Sequence, residues 1–177
     1  MARPGRVVLA GAITGLVLVA FGKTYQDSSK PAASVVPQSI DIPSIKVEAE
    51  LMKLGLKNGE VELPPYEKPK LAGWYTGSAV PGEKGSSVII GHVDTKTAPA
   101  VFFKLRQVRK GEVVKVERSD GKTVEYKVDS VEQVHKDKFP ANRVYGGNGL
   151  KLVTCGGKFD YATGEYLDNI IVYASEA

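Results

Sequence analysis

Short apolar runs broken by glycine and proline dominate the chain, and several alternate with a period of two. Ile40, Ile42, Ile45 and Val47 fall at or near alternate positions, which predicts a half-buried strand from about Ser39 onward. Pro37 and Pro43 flank that run and suggest an edge strand. Ser87 to Ile90 (SVII) is a continuous apolar run ending at Gly91, the pattern of a strand covered on both faces. Ala98 to Leu105 reads as one or two helical turns. Val113 to Val116 predicts a strand, and Asp120-Gly121 after it is a hairpin signal. Beyond the turn, Val124, Tyr126 and Val128 alternate with Glu125, Lys127 and Asp129, so one face is buried and the other wet. Leu150 to Thr154 (LKLVT) and Ile170 to Tyr173 (IIVY) complete the set. No long amphipathic helix competes and no internal repeat is present. Many short strands of this kind predict a mainly β fold, closed or sandwiched.

The N-terminus breaks this pattern. Val7 to Gly22 is nearly uninterrupted apolar sequence, preceded by Arg3 and Arg6 and followed by Lys23. It is a little shorter than the roughly 20 residues that span a bilayer, and its flanking cations can snorkel to extend it. The positive N-terminal flank orients the remainder outward. Residues 1–23 are therefore expected to be a retained single-pass anchor, with a catalytic or binding domain outside the cell. A cleaved signal peptide is the other reading, with Ala32-Ala33-Ser34 as a weak cleavage site. Residues 24–38 are polar and rich in Ser, Ala and Pro, which predicts a flexible stalk. Residues 39–177 are expected to form one domain.

Composition adds less. Hydrophobic residues make up 42% and charged residues 25%, the balance of a globular protein. The net charge of +4 comes from interspersed acids and bases, so no nucleic-acid partner is expected. One cysteine excludes an intrachain disulfide, and with two histidines it cannot make an ordinary structural zinc site. No metal or cofactor is expected. A lone cysteine in an exported chain is a candidate reactive thiol.

That cysteine, Cys155, follows LKLVT and precedes Gly156-Gly157. A strand end holds a nucleophile rigidly yet accessibly, and glycines beside it admit a substrate. The competing reading is a buried structural cysteine. His92, in GHVD after SVII, sits at a second strand end, where an imidazole can exchange a proton with a thiol and a leaving amine. His135, in VHKDKF, reads as a surface residue. Asp94 is a candidate to orient His92, although HVD equally suits a turn.

Four segments, in order, carry a resemblance: GWYTGSAVPGEKGSSVIIGHVDT, PAVFFKL, FPANRVYG and LKLVTCGGKFDYATGEYLDNIIVYA. From about Ile42 to Ala174 the chain resembles the class F sortases of Gram-positive bacteria. LVTC is similar to that family's Leu-x-Thr-Cys signature and GHVD to its histidine segment. The resemblance implies a mixed eight-stranded β-barrel with a few short helices. It implies cleavage of an LPxTG-type sorting signal between Thr and Gly, with Cys155 attacking the Thr carbonyl and His92 protonating the departing amine. An amino group of a lipid-linked peptidoglycan precursor would then resolve the thioacyl enzyme, at the cell membrane, by a monomeric protein. Thr154, Val144 and Tyr145 are candidates for contacting the sorting signal.

One departure stands out. Many sortases carry an arginine on the strand after the cysteine, and here that stretch is Tyr166-Leu167-Asp168-Asn169-Ile170. The Asn169 amide is the first candidate to donate to the substrate or the oxyanion. Arg143, in the loop before the cysteine strand, is the second. Two rival readings are an L,D-transpeptidase, which expects His-Gly-Cys where this chain has Thr-Cys-Gly-Gly, and a non-catalytic membrane-tethered β-barrel binding module.

Overall fold

The computed structural model describes residues 34–177, a single compact unit. Residues 1–33, where the expected anchor and most of the expected stalk fall, lie outside the described residues. Among the described residues no helix is long and apolar enough to cross a membrane.

The strands are β1 (Pro37–Ile42), β2 (Val47–Leu54), β3 (Leu56–Lys57), β4 (Glu60–Val61), β5 (Ala72–Tyr75), β6 (Ser86–Ile90), β7 (Val113–Arg118), β8 (Thr123–His135), β9 (Gly149–Asp160) and β10 (Glu165–Glu176). Eight of them close a barrel in the order β1-β2-β5-β6-β9-β10-β8-β7, and β3 and β4 form a separate small hairpin. The barrel is mixed: β2 pairs with β5, and β6 with β9, in parallel, while the other neighbours are antiparallel. The expected mainly β architecture is thus present as an eight-stranded mixed barrel.

The two kinds of sequence pattern correspond to two kinds of packing. Val124, Tyr126 and Val128 of β8 point into the barrel beside Ile40, Ile42, Val114, Val116, Leu150, Leu152 and Val172, and their polar neighbours face water. The uninterrupted runs of β6, β9 and β10 are covered twice. Ile89, Leu152 and Val172 fill the interior, while Val88, Ile90, Val153, Ile171 and Tyr173 form a second cluster on the outer face with Leu54 and Val144. A strand buried on both sides cannot alternate, which is why SVII, LKLVT and IIVY read as solid apolar blocks.

Two local expectations change. β1 is not an edge strand, because it pairs with β2 on one side and β7 on the other. Its prolines are tolerated because Pro37 opens the strand and Pro43 starts a short 3-10 turn beyond it. The helical pattern at Ala98 to Leu105 narrows to tight turns and a 3-10 segment at Leu105–Gln107, which drives Phe102 and Leu105 into the core. The Asp120-Gly121 hairpin forms between β7 and β8, with Gly121 at φ 80°.

Candidate active site

Register brings the candidate residues together. Ile89 pairs with Leu152 and Ile90 with Val153, and the Gly91 N–H donates to the Val153 carbonyl at 3.1 Å. The paired register ends there, so His92 lies two residues beyond the end of β6 and Cys155 two residues further along β9. Side chains alternate across a sheet, so the parity decides the face. Leu152 is interior and Val153 outer, which puts Cys155 on the outer face of β9. On the other side of β9, Asn169 of β10 is the direct antiparallel partner of Cys155 and shares that face. Cys155 and Asn169 thus form one row across β9 and β10, and His92 follows the end of β6, the other neighbour of β9.

His92 is buried, 7% exposed, and its ring is held from two sides. Tyr66 stacks on it with ring centroids 4.1 Å apart and planes 20° apart, and Nε2 lies 2.6 Å from the carbonyl oxygen of Pro64. A carbonyl oxygen only accepts, so in the neutral ring Nε2 carries the proton and Nδ1 holds the free lone pair. The expectation that Asp94 orients His92 is replaced: the Asp94 carboxylate accepts the Tyr166 hydroxyl at 2.5 Å, and the Pro64 carbonyl holds the imidazole. The Tyr166 phenol is pushed up to about 12, first by that hydrogen bond, so it stays a donor.

Cys155 is partly exposed and unpaired. Burial pushes its thiol above the ordinary value; Lys136 nearby opposes the shift, and Glu165 and Asp94 add to it. Asn169 Nδ2 donates to the Thr154 carbonyl at 3.3 Å, which orients the amide and leaves its second N–H available. The two glycines after Cys155 have a packing reason that sequence does not show. A side chain at Gly156 would strike Ile170, and Gly157, at φ 75°, faces the Asp168 carboxylate.

The remaining candidates separate. Arg143 donates to both carboxylate oxygens of Glu132 at 3.0 and 2.8 Å and lies 4.5 Å above the Tyr173 ring. Tyr173 is four residues along β10 from Asn169, about 13 Å of strand, so Arg143 is not brought to Cys155. Val144 is fully buried in the outer cluster, where it packs and has no face for a ligand. Tyr145 is 43% exposed beside Tyr75 and Phe139, forming an aromatic rim over that cluster. Thr154 points to the interior, 2% exposed, and its hydroxyl has no partner. His135 is exposed and paired with Asp137 at 2.6 Å, and its strand is separated from β9 by β10.

A cavity of about 460 Å³ opens at the barrel end, where Thr154, Cys155, Gly156, Tyr166 and Ile170 meet the 102–109 segment. Pro64 and Tyr66 are the residues sequence reasoning missed. They lie 28 and 26 positions before His92, and nothing in PPYEKPK marks a contact with the histidine.

Solved structures share this architecture. Sortase C-1 from Actinomyces oris superposes with a TM-score of 0.61 at 24% identity, over 78% of this chain and 72% of that one. Sortase A from Corynebacterium diphtheriae gives 0.60 at 23% identity, over 80% and 60%. Sortase C2 of the Group B Streptococcus pilus island 1 gives 0.58 at 24% identity, over 79% and 73%. No curated protein matches the chain in sequence. The family model for the Sortase domain matches residues 40–177, which is the whole barrel from the middle of β1 to the last residue. Cys155 sits within β9 and not at the strand end expected from the sequence, because the strand runs on to Asp160. With a Sortase domain that fills most of the sequence around this thiol, the chain belongs to the sortases and is a cysteine transpeptidase.

Proposed function

We propose that the protein is a class F sortase that cleaves an LPxTG-type signal between Thr and Gly and joins the released acyl group to a peptidoglycan-precursor amine. The observation that supports this is the pairing of Cys155 with Asn169 across β9 and β10, with His92 just past the end of β6, the strand on the other side of β9. In this reading the Cys155 thiol gives its proton to His92 Nδ1 as sulfur attacks the Thr carbonyl. The imidazolium keeps its Nε2–H on the Pro64 carbonyl, which favours the charged ring as it forms. The free N–H of Asn169 donates to the oxyanion. Collapse breaks the Thr–Gly bond, and His92 returns its proton to the departing Gly amine. An incoming amine then attacks the thioester, His92 takes its proton, and the thiol is regenerated.

The apolar Leu and Pro of the signal fit against the partly exposed rim that Tyr145, Tyr75 and Phe139 form over the outer cluster. The apolar run 7–22 serves as a membrane anchor that holds the domain outside the cell, near both substrates.

The experiment is intact mass spectrometry of the full-length protein in mild detergent with an LPxTG peptide, with and without glycinamide. A thioacyl adduct on Cys155 that disappears as amide product accumulates is the expected result. A protein that binds the peptide without an adduct would behave as a binding module, and the reading would fall.

A further inference from the structure

In the sortase reading the sorting signal comes to Cys155 past the aromatic rim of Tyr75, Phe139 and Tyr145. A separate cavity at the barrel end also reaches Cys155; Thr154, Ile170 and Phe102 line it, with Phe103, Arg106, Gln107 and Arg109. A transpeptidase needs two routes, because the acyl chain still fills the first when the second substrate arrives.

The second route has a definite chemistry. None of its lining residues is acidic. Among the described residues neither Arg106 nor Arg109 forms an ion pair, and the Arg109 guanidinium makes only long contacts, 3.3 Å, to the backbone carbonyls of Arg106 and Val108. The neighbouring carboxylates are already engaged. Glu112 accepts the backbone N–H of Arg109, Asp94 accepts the Tyr166 hydroxyl, and Glu165 pairs with Lys136 at 3.0 Å. Independently, Thr154 lines the cavity with a hydroxyl that is buried and without a partner. A buried orphan hydroxyl costs free energy unless something completes it.

Resting on the sortase reading above, we infer that this cavity is the acceptor site and that it takes an amine whose carrier also bears an anionic group, a carboxylate or a phosphate, held by Arg106 and Arg109. The amine end reaches Cys155 along the wall that Thr154 and Gly156 form. The anion stays at the rim, where a guanidinium fork matches either oxyanion geometry. The reaction balances without another reagent: the amine nitrogen bonds to the acyl carbon, the carbon–sulfur bond breaks, and the amine proton passes through His92 to sulfur.

The test uses the full-length protein in mild detergent, an LPxTG peptide and three acceptors: glycylglycine, with a carboxylate; 2-aminoethyl phosphate; and glycinamide, which is neutral. The readout is the ratio of transfer kcat/KM for each anionic amine to that for glycinamide, within one protein, so that changes in acylation cancel. The expected wild-type ratio is about tenfold or more for at least one anion, and the better of the two identifies the group recognised. The ratio should collapse to about one in the Arg106→Ala, Arg109→Ala double variant and fall below one when both are changed to Glu. A wild-type ratio near one, or a double variant that keeps the preference, would overturn the proposal while leaving the sortase reading intact. Failure to form any Cys155 adduct would remove that reading, and this inference with it.

Discussion

Arg143 and Glu132 are joined through two parallel hydrogen bonds, 3.0 and 2.8 Å, with the guanidinium lying over the Tyr173 ring. The fork is complete, so recruiting this arginine to Cys155 means breaking a bidentate pair and leaving the tyrosine face. Asn169 needs no movement, since register already sets it opposite Cys155. Asn169→Ala should therefore lower single-turnover acylation on the order of a hundredfold, the typical loss for one oxyanion donor. Arg143→Ala should change acylation by less than about threefold, because an exposed pair of this kind contributes little. Loss of acylation in Arg143→Ala with retention in Asn169→Ala would reverse the assignment.

The two histidines differ in what holds them. His92 is buried between Tyr66 and the Pro64 carbonyl, whereas His135 is exposed and paired with Asp137. His92→Ala should reduce turnover by about a hundredfold or more, the usual contribution of general acid–base help, and His135→Ala should leave it nearly unchanged. Cys155→Ala should abolish both cleavage and transfer with the fold retained. Steady-state peptide cleavage, with circular dichroism as the check on folding, separates these outcomes. Residual turnover in a folded Cys155→Ala protein would remove the nucleophile assignment.

Much of this arrangement was legible before any coordinates. The apolar runs SVII, LKLVT and IIVY marked β6, β9 and β10 as strands, and GHVD follows the end of β6, whereas the strand end expected after LVTC is absent because β9 runs on to Asp160. What strand periodicity cannot carry is a contact from an irregular segment. The Pro64 carbonyl reaches His92 through the chain between β4 and β5, which has no period to read. Arg143 was misplaced for the same reason, since the partner that holds it, Glu132, lies on β8, which the sequence sets nowhere near the loop. The glycines after Cys155 were correctly singled out, but their packing against Ile170 and Asp168 depends on the β9–β10 register. The sequence carries no signal at Arg106 and Arg109, because no periodicity places their turn beside Cys155.

The thiol offers a pH test. Burial raises Cys155, so the neutral form persists to higher pH than in a free thiol, and alkylation tracks the thiolate. Iodoacetamide should react slowly at pH 7, with a rate that climbs through pH 9 and inflects above the ordinary thiol value. Lys136 opposes the shift, so Lys136→Ala should move the inflection upward, while Glu165→Gln or Asp94→Asn should move it down. A wild-type inflection near pH 7 or below would mean that the resting pair is thiolate and imidazolium.

Tyr166, which lines the cavity, donates to Asp94 and so links β10 to the turn two residues beyond His92. A phenol donating to a carboxylate forms a charge-assisted bond, but both groups are partly exposed and solvent screens the pair. Tyr166→Phe and Asp94→Asn should each lower stability slightly, and the double variant should show a coupling of about 1 kcal/mol by denaturant unfolding. Additive effects would mean that the bond contributes nothing in solution.

The start of the folded unit can be placed to within a few residues. β1 begins at Pro37, two residues before the boundary expected at Ser39, and Val36 already belongs to the barrel. Its N–H donates to the Ser119 hydroxyl at 3.0 Å, its carbonyl accepts the Ser119 N–H at 2.8 Å, and its side chain packs against the interior cluster. A protein beginning at Ser34 keeps all three contacts and should fold, remain soluble and turn over peptide like the full-length chain. One beginning at Gln38 loses both hydrogen bonds and the Pro37–Arg118 pairing. At about 1 kcal/mol for each hydrogen bond, with the lost apolar contact added, it should be about 2 to 3 kcal/mol less stable. Thermal melts of the two truncated proteins, alongside peptide cleavage at 25 °C, make the comparison. Equal melting temperatures would show that Val36 and Pro37 are dispensable to the barrel, and an inactive Ser34 protein would show that residues before it contribute to the site.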